Sequence, residues 1–290
     1  MIDFTLNGEA KQLPENWQEV RPDLLPDLLR LLFVEPENTF TQHHILRLTL
    51  GYSKKEWTKF CRIYFGAKVS EERKDTNSEM LAFLFGRLSW MWTESLTVQP
   101  VEFVEIEQVK HFLPEPFLKT TTYGELTDAY IHLRAFTDQL EPGETRLHLL
   151  LATICRPEQP GENYQLNPEW NGDKREPYNE HVAGVRAKAW QAVPLSVKIP
   201  ILVYFVGSLK ELMVSYEIYE TETIDNVASE EEYPGQGFIK NQHLLAEKGV
   251  FGTMKETRQA GAHEVLLFLE EFKKDEEYKE KKRKEAENKK

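Results

Sequence analysis

Only two cysteines occur in the 290 residues. Cys61 and Cys155 stand far apart with no CxxC spacing, so neither a disulfide framework nor a zinc cluster is expected, and both read as buried, reduced thiols. Long apolar runs are scarce too. The most apolar stretch, IPILVYFVGSLKELM from Ile199 to Met213, is broken by Lys210 and Glu211 and falls short of the ~20 residues that span a bilayer. It reads as a core helix, and no membrane partner is expected. Basic charge is in deficit: 36 Lys and Arg against 48 Asp and Glu leave a net charge of −12. Binding along a phosphate backbone depends on Lys and Arg, so nucleic acid is not expected as a partner. The N-terminal MIDFTLNGEAKQLPENW has no basic leader and no unbroken apolar core, so it is not read as a secretory signal.

Motifs that carry chemistry are also missing. There is no P-loop and no GxGxxG; GVFGTMKE near Gly249 has two glycines and a lysine but lacks the loop length and ending that cradle phosphates. The GxSxG elbow and HExxH are absent, and neither cysteine has a histidine nearby in sequence. Glu107 with His111, Asp128 with His132 and Glu144 with His148 stand at i, i+4, the spacing of ordinary helix surface pairs. His43 and His44 are adjacent and leave a helix on different sides, a poor chelate. No metal site and no cofactor are expected. No internal repeat occurs at periods of solenoid length.

What is present suits a large helical core, with 40% apolar and 11% aromatic residues. Ile2, Phe4 and Leu6 alternate before Asn7-Gly8, which predicts a small N-terminal β-hairpin. Leucines 24, 25, 28, 29 and 32 form one helical stripe over 23–33, with Pro26 in the first turn. A helix over 41–50 should end at Gly51. Ser53 with Glu56 forms a capping box for a helix over 54–65, closed by Gly66. The pattern predicts one helix over 75–93, its aromatics near the centre of the core, and an edge strand or extended link in VQPVEFVEI. Thr122 and Glu125 predict a helix start, and further helices are expected over 144–154, 178–192 and 194–219, with Pro200 kinking the last or opening a new first turn. The fold class is therefore mainly α, a multi-helix globular protein with a small N-terminal hairpin and a charged C-terminal helix or tail. The domain reading places the hairpin and a helical region in 1–155, a long polar connector in 156–177, a helical region packing on the first in 178–220, an acidic linker in 221–237, and a C-terminal helical segment with a charged tail in 238–290.

The connector RPEQPGENYQLNPEWNGDKREPYNEH, 156–181, is the most site-like stretch. Asp173, Arg175, Glu176, Glu180 and His181 suit a site on a loop held by helices. The competing reading makes Arg175 and the carboxylates ion pairs that pin the loop, with Trp170 and Tyr178 anchoring it on the core.

Three segments carry a family resemblance: LPENWQEV with the helices that follow it up to Phe65, LPEPFLKTTTYGEL over 113–126, and ATICRPE with the later REPYNEH over 152–181. In this order they resemble tail-assembly-chaperone-like proteins of tailed phages and prophages of Bacteroidetes-type bacteria. The resemblance implies a non-enzymatic assembly factor, located in the host bacterial cytoplasm, that binds and solubilises a helical protein such as the tape-measure or tail-tube protein. A virion structural component and a hydrolase-type enzyme with its site on the 156–181 loop are the alternatives. Aromatic or charged residues of these segments and of the tail supply the candidate partner-binding set: Trp17, Phe117, Tyr123, Glu125, Trp170, Arg175, Tyr178 and Phe272.

Overall fold

Local sequence signals set most of the element boundaries in the computed structural model, which describes residues 1–6, 8–161, 163–168, 170–216 and 231–288. It is mainly helical, with a two-stranded antiparallel hairpin at the N-terminus. Contacts divide the chain into two units, Met1–Pro100 with Pro194–Gly207, and Val101–Val193 with Ser208–Lys290.

In the first unit, β1 (Ile2–Leu6) pairs with β2 (Glu9–Leu13), Ile2 opposite Leu13. Gly8 supplies the left-handed turn residue at φ +77, while Asn7 lies outside the described residues. Helix α1 (Leu25–Phe33) buries Leu25, Leu28, Leu29 and Leu31 and holds Pro26 in its first turn, where the missing N–H has no intrahelical acceptor to lose. Helix α2 (Thr39–Thr49) is followed by Gly51 at φ +71, and α3 (Lys54–Phe65) opens on the complete Ser53–Glu56 capping box. Gly66 departs from its expected role: at φ −66 it is extended, not left-handed.

The single helix expected over 75–93 is two, α4 (Glu71–Gly86) and α5 (Trp90–Thr93). Between them the chain tightens, Leu88 N–H bonding to Phe85 O and Ser89 N–H to Gly86 O. Beyond this bend Trp90 Nε1 donates to Pro14 O at 2.9 Å and Trp17 Nε1 to Glu94 O at 3.2 Å, the two rings meeting edge to face at 5.0 Å. Two indoles thus bury their carbon while each polar tip keeps an acceptor. The other aromatics of this stretch do not share the core, for Phe83 is 61% and Trp92 41% exposed. Helix α9 (Leu195–Ser215) runs on through Pro200. At its Gly207 a Cβ would stand 2.3 Å from Leu96 O and 2.6 Å from Leu96 N, so only glycine lets the two backbones approach.

In the second unit, β3 (Phe103–Ile106), β4 (Val109–Phe112) and β5 (Arg156–Pro157) form an antiparallel sheet in that order. Helices α6 (Tyr123–Thr137) and α7 (Thr145–Ile154) pack together and bury Leu126, Ala129, Leu147, Leu150 and Leu151. The helix expected over 178–192 is shorter: α8 (Glu180–Arg186), capped by the Asn179 side chain, gives way to a 3₁₀ turn over Ala189–Ala192. Pro194 ends the 3₁₀ turn, because it holds Val193 in extended geometry at ψ 130. Two helices not expected individually are α10 (Gln236–Lys248) and α11 (Met254–Gln259), the second opened by a complete Thr253–Glu256 capping box. The last, α12 (Ala262–Glu287), is continuous; Val265, Leu266 and Leu269 are buried, and 274–288 is exposed and charged. Of the acidic linker expected over 221–237, residues up to 230 lie outside the described set and Gln236 already begins α10.

Candidate functional site

A cleft of about 870 Å³ opens in the second unit, and beneath it lies a buried cluster of four charges. Each member has a local reason for its place. Thr122 caps α6, its hydroxyl accepting from Glu125 N–H at 3.3 Å, but the Glu125 side chain does not complete the expected box. It turns inward instead, where its Oε1 lies 2.7 Å from Arg156 Nη1 and 2.9 Å from Arg175 Nη1. Arg156 follows α7 directly as the first residue of β5, which aims it under the same helix start. Asp173 and Arg175 return on the far arm of the connector, fixed by Glu176 N–H to Pro157 O, Gln159 N–H to Lys174 O and a bridge between Glu158 and Arg175.

The cluster is dry and closely paired. Glu125 is 0%, Arg175 1%, Arg156 2% and Asp173 7% exposed. Arg175 donates through Nε and Nη2 to Asp173 and through Nη1 to Ile154 O at 2.6 Å, while Arg156 also reaches Glu176 O, Thr153 O and Asp173 Oδ2. Two guanidinia and two carboxylates cancel in charge, the condition for leaving them out of water. Burial alone pulls the Arg175 pKa down, but the carboxylates of Glu125 and Asp173 outweigh it and hold it above the ordinary arginine value. One atom is left over: Glu125 Oε2 has no hydrogen-bond partner among the described residues.

A second group forms the rim. Asp128 Oδ2 accepts from Tyr178 OH and from Arg258 Nη2, both at 2.6 Å, and Arg258 Nη2 also reaches Glu180 at 3.1 Å. Burial and the neighbouring Asp128 push the Tyr178 hydroxyl well above its usual pKa, so it stays a donor. Helix α11 carries Arg258 against the first turn of α6, where a Cβ on Gly124 would stand 2.9 Å from Arg258 O. The glycine of TYGEL is therefore a packing requirement.

The candidate residues separate accordingly. Arg175 and Tyr178 line the cleft, Glu125 lies beneath it against Arg175, and Trp170 supports it by donating to Asp173 O at 2.8 Å. Trp17 is 1% and Tyr123 0% exposed, so neither has surface for a partner; Glu125 and Arg175 likewise have their charges consumed inside the fold. Phe117 is 40% exposed in a left-handed conformation at φ 58. Phe272 is half-buried, stacked on Phe268 with Lys248 over its ring. Arg156 and Arg258 were not singled out from sequence, and Asp128 was noted only as a helix surface pair with His132. Arg156 stands in a matching segment, but its carboxylate partners are 17 and more residues away, and Arg258 reaches Asp128 across 130. Glu144 and His148 pair at 3.2 Å as their spacing suggests, whereas Glu107 sits in the left-handed β3–β4 turn with His111 on β4.

Among the described residues no helix is long and apolar enough to cross a membrane, and no group of three or more His, Cys, Asp or Glu is placed to hold a metal ion. Compared with known proteins, the chain matches no family model, no curated protein and no solved structure.

Proposed function

We propose that this protein works by binding another polypeptide, as a phage or prophage tail assembly factor that keeps a helical partner such as the tape-measure protein soluble. The observation that carries this reading is that successive helices of the first unit each expose a large apolar side chain. Phe40 on α2 is 70%, Ile63 on α3 54%, Phe83 on α4 61% and Trp92 on α5 41% exposed. Exposed aromatics on neighbouring helices are costly in water and suit the apolar stripe of a partner helix. The net charge of −12 favours a soluble complex once that stripe is covered. The family resemblance supplies the biological setting and the host-cell location.

A hydrolytic site on 156–181 has less to draw on. Both Asp173 oxygens are bonded to arginines, Glu176 pairs with Arg186, and the His181 side chain is 89% exposed.

Co-expression with the tape-measure protein of the same phage or prophage tests the proposal. A larger soluble fraction is expected with the wild type and its loss with Phe40→Asp combined with Phe83→Asp, both substitutions lying on the surface. A partner that stays insoluble with the wild type, or is rescued equally by the double variant, refutes the reading. Mass spectrometry of purified particles separates it from a virion component, since an assembly factor is absent from the finished particle.

A further inference from the structure

Hydrogen-bonding capacity is unevenly used around the cleft. On its floor Asp173 is fully engaged, receiving both arginines and the Arg175 N–H. The α11 wall is the reverse: Lys255, Arg258 and Gln259 line the cleft, and among the described residues the Lys255 ammonium and the Gln259 amide make no hydrogen bond while Arg258 uses only Nη2. A ligand entering there meets spare donors and the Lys255 charge, with Asp128 and Glu180, which already hold Arg258 Nη2, as its acidic competitors.

We propose that the cleft binds an acidic polypeptide segment, Lys255 and Arg258 taking its carboxylates and Gln259 its main chain. The volume of about 870 Å³ lies near the top of the ~300–1,000 Å³ range of ligand pockets, more than a single small anion fills. Position 255 neighbours 258 and 259, at i+3 and i+4 on the helix, each about 5–6 Å away. Alternate side chains of an extended peptide repeat at about 6.6 Å, which matches that spacing, whereas a phosphate needs donors converging on one point. A nucleobase is disfavoured because the ring of Tyr178 is already covered by Arg156 at 5.8 Å.

Calorimetric titration of the full chain with capped hexaglutamate, hexaglutamine and inorganic phosphate tests this. At about 0.15 M salt the Debye length is ~8 Å, which screens the acidic body while leaving contacts in the cleft. Hexaglutamate is expected to bind with a Kd below about 1 mM and hexaglutamine not to bind. Lys255→Glu should weaken hexaglutamate about threefold or more, and Glu180→Gln should tighten it by a similar factor. Lys255 is exposed and unpaired, so its variant keeps the wild-type circular dichroism. Equal binding of hexaglutamine, indifference to Lys255→Glu, or phosphate binding as tightly as hexaglutamate overturns the proposal.

Discussion

Replacing Glu125 by glutamine tests the buried cluster most directly. The amide keeps the shape and one acceptor oxygen, but Arg156 and Arg175 are left with Asp173 as their only anion. Removing one partner of a buried pair costs about 3–5 kcal/mol, because the remaining charge stays out of water. In a unit of this size each kcal/mol moves the midpoint by ~2–4 °C, so the transition of the second unit should fall by roughly 6–20 °C. Near-ultraviolet circular dichroism during heating reads that transition through Trp170, Trp190 and the tyrosines around α6. A double-mutant cycle then separates charge from packing. Glu125→Leu together with Arg175→Met leaves Arg156 and Asp173 balanced one to one, so the double variant should be more stable than the two single losses added, by about 2 kcal/mol. A cycle coupling under ~0.5 kcal/mol, or a Glu125→Gln variant within ~1 kcal/mol of the wild type, refutes the account.

Three further outcomes are expected. Gly207→Ala sets a methyl against the Leu96 backbone, so either α9 or the 94–97 segment must move; denaturant melts should show a loss of about 2–3 kcal/mol, and an unchanged midpoint would contradict the close approach. Burial and the adjacent Arg146 pull the His132 pKa down to about 4, so the unfolded chain takes up its proton first as pH falls. This histidine therefore costs nothing above pH ~6.5 and withdraws up to about 3 kcal/mol as pH drops toward 4, a slope that His132→Gln should remove. Burial pushes the Cys155 thiol up to about 12 and, to a lesser extent, raises that of half-buried Cys61, so a thiol reagent at pH 8 should modify Cys61 slowly and Cys155 only on unfolding.

Elements with strong local punctuation were legible. Ser53 with Glu56 marks α3 to the residue, and Thr122 marks the start of α6. Where local and distant demands compete, sequence alone misleads: Glu125 stands at a capping-box position, yet two arginines 31 and 50 positions onward claim its carboxylate. The break between α4 and α5 has the same origin, since helical spacing continues through Leu88 while Trp90 turns to meet Trp17. Helix α11 is short and apolar-poor, so its role as the cleft wall that carries Arg258 has no periodic signature. The pinning of the connector by Arg175 was readable as an alternative from composition, but its partners were not.

The shared Glu125 carboxylate also has a kinetic consequence. Its arginines arrive on β5 and on the returning connector, and an incomplete cluster strands a guanidinium without an anion in the interior. The network is therefore most stabilising when the last segment closes, late on the folding path, so its loss should act mainly on the unfolding rate. What the four charges govern is how long the second unit stays folded once made, more than how quickly it is made.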